Sequence, residues 1–122
     1  MMATDDNAEK ERRAAARYDT TIEVDYANDQ TFLFSYIQNI SLFGIFIYTK
    51  TPLPIGTILK LRFTPPKEES AFELEGEVVW INPYREGGKN INPGMGVKFV
   101  NLEEDQHERL EQLIKTLAIL PE

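Results

Sequence analysis

Cysteine is missing from this 122-residue chain, and histidine and tryptophan occur once each, as His107 and Trp80. Without thiols there is no disulfide, no thiolate nucleophile and no Cys-ligated zinc. A lone histidine leaves a His-rich metal centre or a Ser-His-Asp triad without its parts. No apolar run approaches the roughly 20 residues of a membrane-spanning helix, so insertion into a bilayer is not expected. The opening MMATDDNAEKERR lacks the apolar segment of a secretory signal, so a cytoplasmic location is expected. Basic residues are also in deficit, 13 against 20 acidic ones, for a net charge of −7. That balance repels polymeric nucleic acid. A small-barrel binder of single strands would instead need a basic groove with exposed aromatics.

What is present can fold. The chain is 42% hydrophobic and 11% aromatic, enough for a buried core, and its length suits one domain. The charge is uneven. Residues 1–17 balance Asp5, Asp6, Glu9 and Glu11 against Lys10, Arg12, Arg13 and Arg17. The whole negative balance therefore lies beyond them, and the segment 10–17, KERRAAAR, forms a cationic patch at the entrance to an acidic domain. Residues 1–11 read as a flexible lead-in, and 12–120 as the folded unit. Three alanines favour a helical turn over Glu9–Arg17.

From there the periodicity switches to two. Ile22, Val24 and Tyr26 alternate with Glu23 and Asp25, as in a half-buried strand. A turn at 27–30 leads to an aromatic, β-branched strand, Thr31–Gln38. The stretch Asn39–Gly44 interrupts, and Ile45–Thr49 reads as a short strand buried on both faces. Thr57–Phe63, Ala71–Ile81 and Gly94–Val100 complete six strands, separated by turns and loops rich in Pro and Gly. In the fifth, Phe72, Leu74, Gly76, Val78 and Trp80 share one face, which assigns Trp80 to the core; Glu73, Glu75 and Glu77 form a solvated face. Asn101 is the expected N-cap of a closing helix, with Glu104 completing a capping box. Leu110, Leu113, Ile114 and Leu117 form its apolar stripe. Glu103 and Glu104 suit the helix dipole rather than catalysis, and His107 is an exposed surface histidine. Six strands and one helix predict an all-β fold, an antiparallel barrel or sandwich with the helix against one end.

Two segments are unusual for a scaffold. Arg13 and Arg17 are guanidiniums four residues apart, planar and permanently charged, able to fork onto a phosphate or onto the O6 and N7 edge of guanine. Asn39 and Ser41 are short polar groups suited to local backbone bonds or to a ligand, and Gly44 permits a bulge, a tight turn or a close approach. RxxxR before a first strand, followed by [D/N]xSxxG some twenty residues on, resembles the PilZ domain. The likeness extends over roughly Arg12 to Leu120 and includes Val79-Trp80 and Gly96-Val97-Lys98-Phe99.

The resemblance implies a six-stranded antiparallel barrel with a C-terminal α-helix. It also implies a receptor, not an enzyme, for the bacterial second messenger cyclic di-GMP, with no further cofactor. By position, Arg13 and Arg17 would grip phosphates and guanine edges, Asn39 and Ser41 would hydrogen-bond a guanine, and Gly44 would keep the surface open. Asn39 stands where the family also uses aspartate, and its amide can donate as well as accept. A basic residue at Arg12 goes, in that family, with two stacked, intercalated ligands rather than one, since four phosphate charges call for a third guanidinium. The expected mechanism is ordering of the arginine segment on binding, read by a separate effector protein. The domain acts as monomer or homodimer. The alternative is a ligand-free PilZ-like interaction module of motility or secretion, against which the presence of both arginines counts.

Overall fold

The computed structural model describes residues 16–28, 31–87 and 92–119. Six strands form a closed antiparallel barrel: β1 (Tyr18–Asn28), β2 (Thr31–Ile40), β3 (Gly44–Tyr48), β4 (Ile58–Phe63), β5 (Phe72–Asn82) and β6 (Gly94–Val100). Around the barrel the order is β1-β2-β3-β6-β5-β4, closed by the β4–β1 pair. One helix, α1 (Glu104–Ile119), follows. The expected helical turn lies outside the described residues as far as Ala15, and Ala16 and Arg17 enter β1 without helical structure.

Alternation sends Ile22, Val24 and Tyr26 of β1, Leu59, Leu61 and Phe63 of β4 and Phe72, Leu74 and Val78 of β5 into the interior. β3 is buried from Gly44 to Ile47, as its unbroken apolar sequence foretells. Phe63 and Phe72, paired across β4 and β5, stack with centroids 5.2 Å apart. The stripe Leu110, Leu113 and Ile114 joins the same core, so α1 packs on the barrel.

The cap of α1 is shifted from the expected place. Asn101 has a left-handed backbone (φ 54°), and its side-chain amide donates to Glu75 Oε2 instead of to the helix. The capping pair is Glu103 with Gln106. The Glu103 carbonyl accepts the first helical bond, from His107 N–H, and the Glu103 N–H donates to Gln106 Oε1 at 2.9 Å. Gln106 Nε2 also donates to the Glu73 carbonyl, tying the helix start to β5. Arg109 continues the seam: it donates to the Ser70 and Ala71 carbonyls and lies 3.9 Å from the Phe72 ring centroid.

Three ladders slip register. The irregularities fall between Asp19 and Ile22 on β1, between Ile37 and Asn39 on β2, and between Val78 and Trp80 on β5. Each inserts one residue, and on β2 and β5 the insertion reverses the alternation beyond it. On β2, Ile37 points inward, Gln38 is the inserted residue, and Ile40 becomes the next core side chain, which turns Asn39 outward. On β5 the inserted residue is Val79.

Candidate functional site

The slip at Val79 overturns the core assignment of Trp80. The tryptophan is 50% exposed, on the outside of the barrel, while Ile81 takes the inward phase. Its indole lies across Gly96, where a Cβ would fall 2.0 Å from Trp80 Nε1. It stacks on Phe46 of β3, centroids 5.3 Å apart and planes at 22°. A β-strand carrying any side chain at position 96 could not receive the ring.

The same end of the barrel gathers part of the expected polar set. Arg17 Nε donates to Asn39 Oδ1 at 2.6 Å, and its Nη1 reaches Ser41 Oγ at 3.4 Å. Arg17 is exposed as a residue, but its guanidinium lies close enough to β2 that partial desolvation lowers its pKa from the ordinary arginine value. It remains a cation at neutral pH. Because Nε can only donate, the oxygen of Asn39 faces Arg17 and the amide nitrogen is directed elsewhere.

Ser41 is 1% exposed and closes the turn between β2 and β3. Its N–H donates to the Gly44 carbonyl, its hydroxyl accepts from Phe43 N–H, and the hydroxyl proton is directed at the Gly44 carbonyl, 3.5 Å away. With Arg17 as a further donor, the one proton and two lone pairs of that hydroxyl are all engaged. The geometry makes Ser41 a support for Arg17 and the turn. Gly44 is buried, and a Cβ there would sit 2.2 Å from the Val97 carbonyl oxygen. Close packing of β3 on β6 thus accounts for this glycine without an open surface. Arg12 and Arg13 lie outside the described residues.

Arg17, Asn39, Phe46 and Trp80 line one cleft of about 350 Å³, completed by Gln38, Asn82 and Asn92. Asn82 Nδ2 donates to the Asn92 carbonyl and holds the two ends of the β5–β6 loop together beside it. The lining is one guanidinium, four carboxamides and two aromatic rings, with no carboxylate. In a chain of net charge −7 that is a marked local departure. A larger cleft of about 780 Å³ runs between β4, β5 and the start of α1, but it presents Asp25, Glu73, Glu75 and Glu103 against only Lys60 and Arg62. It repels an anion, whereas the smaller cleft attracts one. The motifs did not point to Phe46, Gln38, Asn82 or Asn92. The nearest sequence signal is the Gly94-x-Gly96 pair on β6, which leaves room for flat rings.

Comparison with known proteins decides the family. The PilZ domain profile matches residues 11–116. The chain belongs to the PilZ domain family. No curated protein sequence matches it. Among solved structures, the PilZ domain with c-di-GMP of YcgR from Escherichia coli aligns at 17% identity and a TM-score of 0.66, over 84% of this chain and 88% of that one. The inhibitor of motility MotI/DgrA of Bacillus subtilis aligns at 20% and 0.66, over 86% of this chain and 51% of its own. The K. pneumonia MrkH–c-di-GMP complex gives 16% and 0.68, over 84% and 50%. This PilZ chain thus spans about half the length of two of the three, and at these identities the likeness is one of fold. Among the described residues no helix is long and apolar enough to cross a membrane.

Proposed function

We propose that this PilZ domain is a receptor for cyclic di-GMP, with its site at the Arg17–Asn39–Trp80 end of the barrel. The observation that carries the reading is the carboxylate-free cleft, in which a guanidinium anchored on Asn39 lies beside two stacked rings. A cyclic dinucleotide presents what such a cleft takes: flat purines for stacking, acceptor edges for N–H donors, and phosphates for guanidinium. Relatives of the same fold have been solved with c-di-GMP.

Arg17 grips a phosphate or a guanine O6/N7 edge, and Asn39 both holds Arg17 and turns its amide N–H groups to the base. Trp80, backed by the buried Phe46, offers the stacking surface. Arg13 adds a second guanidinium from the same segment. Arg12 adds a third, which suits two intercalated ligands bringing four phosphate charges. Binding orders the arginine segment against the barrel at an entropic cost that charge-assisted bonds and stacking exceed. A separate effector protein reads the new surface. No group is assigned a catalytic role.

Isothermal calorimetry with cyclic di-GMP tests this. The expected result is saturable binding with two ligands per chain, abolished by Arg13→Ala or Arg17→Ala with the circular dichroism unchanged. Equal affinity in the wild type and both variants would refute the site. No binding by a folded wild type would leave the ligand-free interaction module.

A further inference from the structure

The outer faces of the strands are not alike. On β5 the outward residues below the slip are Glu73, Glu75 and Glu77, opposite Arg62, Lys60 and Ile58 of β4. On β2 they are Phe34 and Tyr36, which are 55% and 41% exposed. The two rings meet edge to face, centroids 5.6 Å apart at 71°. Their direct cross-strand neighbours on β1 are acidic: Asp25 opposite Phe34, and Glu23 opposite Tyr36. Among the described residues neither carboxylate makes an ion pair. Arg62, directly opposite Asp25 on β4, directs its guanidinium to Glu73, with Nε 3.7 Å from Oε1.

Glu23, Asp25 and Phe34 line a notch of about 170 Å³ with Arg62, Phe63 and Thr64. It is separate from the cleft at Trp80. Phe34 lies five residues before Asn39 on β2, about 17 Å along the strand. We infer that this face of the β1–β2 hairpin is a protein-docking surface, whose notch receives an arginine side chain from the partner. A guanidinium can lie against the Phe34 ring while its N–H groups reach Asp25 and Glu23. The tyrosine and phenylalanine rings supply apolar area around that anchor at small entropic cost. The same carboxylates repel nucleic acid and anionic lipid, so the charge pattern selects a basic protein surface. The inference stands whether or not the cleft at Trp80 binds a nucleotide.

The probe is the blocked tripeptide acetyl-Gly-Arg-Gly-amide, titrated into the full chain while ring resonances of Phe34 and Tyr36 are followed by NMR. The expected result is a saturating shift of both rings. Affinity should fall about fivefold for the citrulline analogue and about fivefold in the Glu23→Gln/Asp25→Asn double variant, whose thermal midpoint is unchanged. Shifts that rise without saturating, or equal binding by the citrulline peptide or the double variant, would overturn the proposal. Sedimentation supplies a second arm: a concentration-dependent dimer abolished by Phe34→Ala would give the face to another copy of this chain and overturn it as well.

Discussion

At the scale of single residues, the account rests on side chains that a slipped strand register turns outward. Trp80 is the sharpest case. Half exposed, it contributes less to stability than a buried ring of comparable size. Trp80→Ala should cost about 1–2 kcal/mol, whereas Phe72→Ala, which empties the core and removes the seat of Arg109, should cost about 3–5 kcal/mol. Urea denaturation of the two variants checks the order, and equal losses would return Trp80 to the core. Arg17 is different again. Its bonds to Asn39 and Ser41 are few and partly solvated, so Arg17→Ala should change stability by less than about 1 kcal/mol while removing ligand affinity. Tyr26 gives a prediction in pH. Burial raises its phenol pKa above the ordinary value, and a hydrogen bond with Thr49 only partly opposes this. The folded state therefore holds the proton longer than the unfolded chain does. That contribution is complete below the unfolded pKa of about 10 and is lost as pH rises through the higher folded value. Denaturation midpoints should fall above about pH 10 in the wild type, and fall less in Tyr26→Phe.

At the scale of elements, the helix start separates two explanations. Gln106 accepts from Glu103 N–H and donates to the Glu73 carbonyl, so Gln106→Ala should cost about 1 kcal/mol or more. Glu104→Ala should cost less than about 0.5 kcal/mol. The reverse order would restore the capping box at Asn101. The strands themselves were legible because period-two patterning and turn residues are local. Ile22-Val24-Tyr26 and Phe72-Leu74-Gly76-Val78 need no knowledge of their partners. The slips were not legible, since an inserted residue is defined only against the strand it faces. Gln38 and Val79 carry no mark of their own, and the core assignment of Trp80 fails because of the slip at Val79. Asn101 misled for a related reason: its amide is drawn to Glu75, on a strand 26 residues away in the chain. For the site, the motifs named Arg17, Asn39 and Ser41, which the structure joins by hydrogen bonds. They did not show that the Ser41 hydroxyl is consumed by its own turn, nor that Phe46 and Trp80 stack beside it.

At the scale of the molecule, the parts divide around the barrel. The helix seals the Phe72 end of β5 through Leu110, Leu113 and Ile114, with Arg109 and Gln106 fastening its edge. The cleft lies toward the other end of β5, at Trp80 and Asn82. The charge divides with them: carboxylates concentrate along β1, β5 and α1, and none line the cleft. A net-negative chain can thus hold a dianionic ligand locally while repelling nucleic acid over most of its surface. On the proposed reading, cyclic di-GMP binds in this cleft. Because Trp80 is the sole tryptophan and lies in that cleft, its emission reports on it alone. Titrating the chain with cyclic di-GMP should give a saturable change in Trp80 emission that disappears in Arg17→Ala. An emission that stays flat across the titration, or the same curve in the variant, would contradict it.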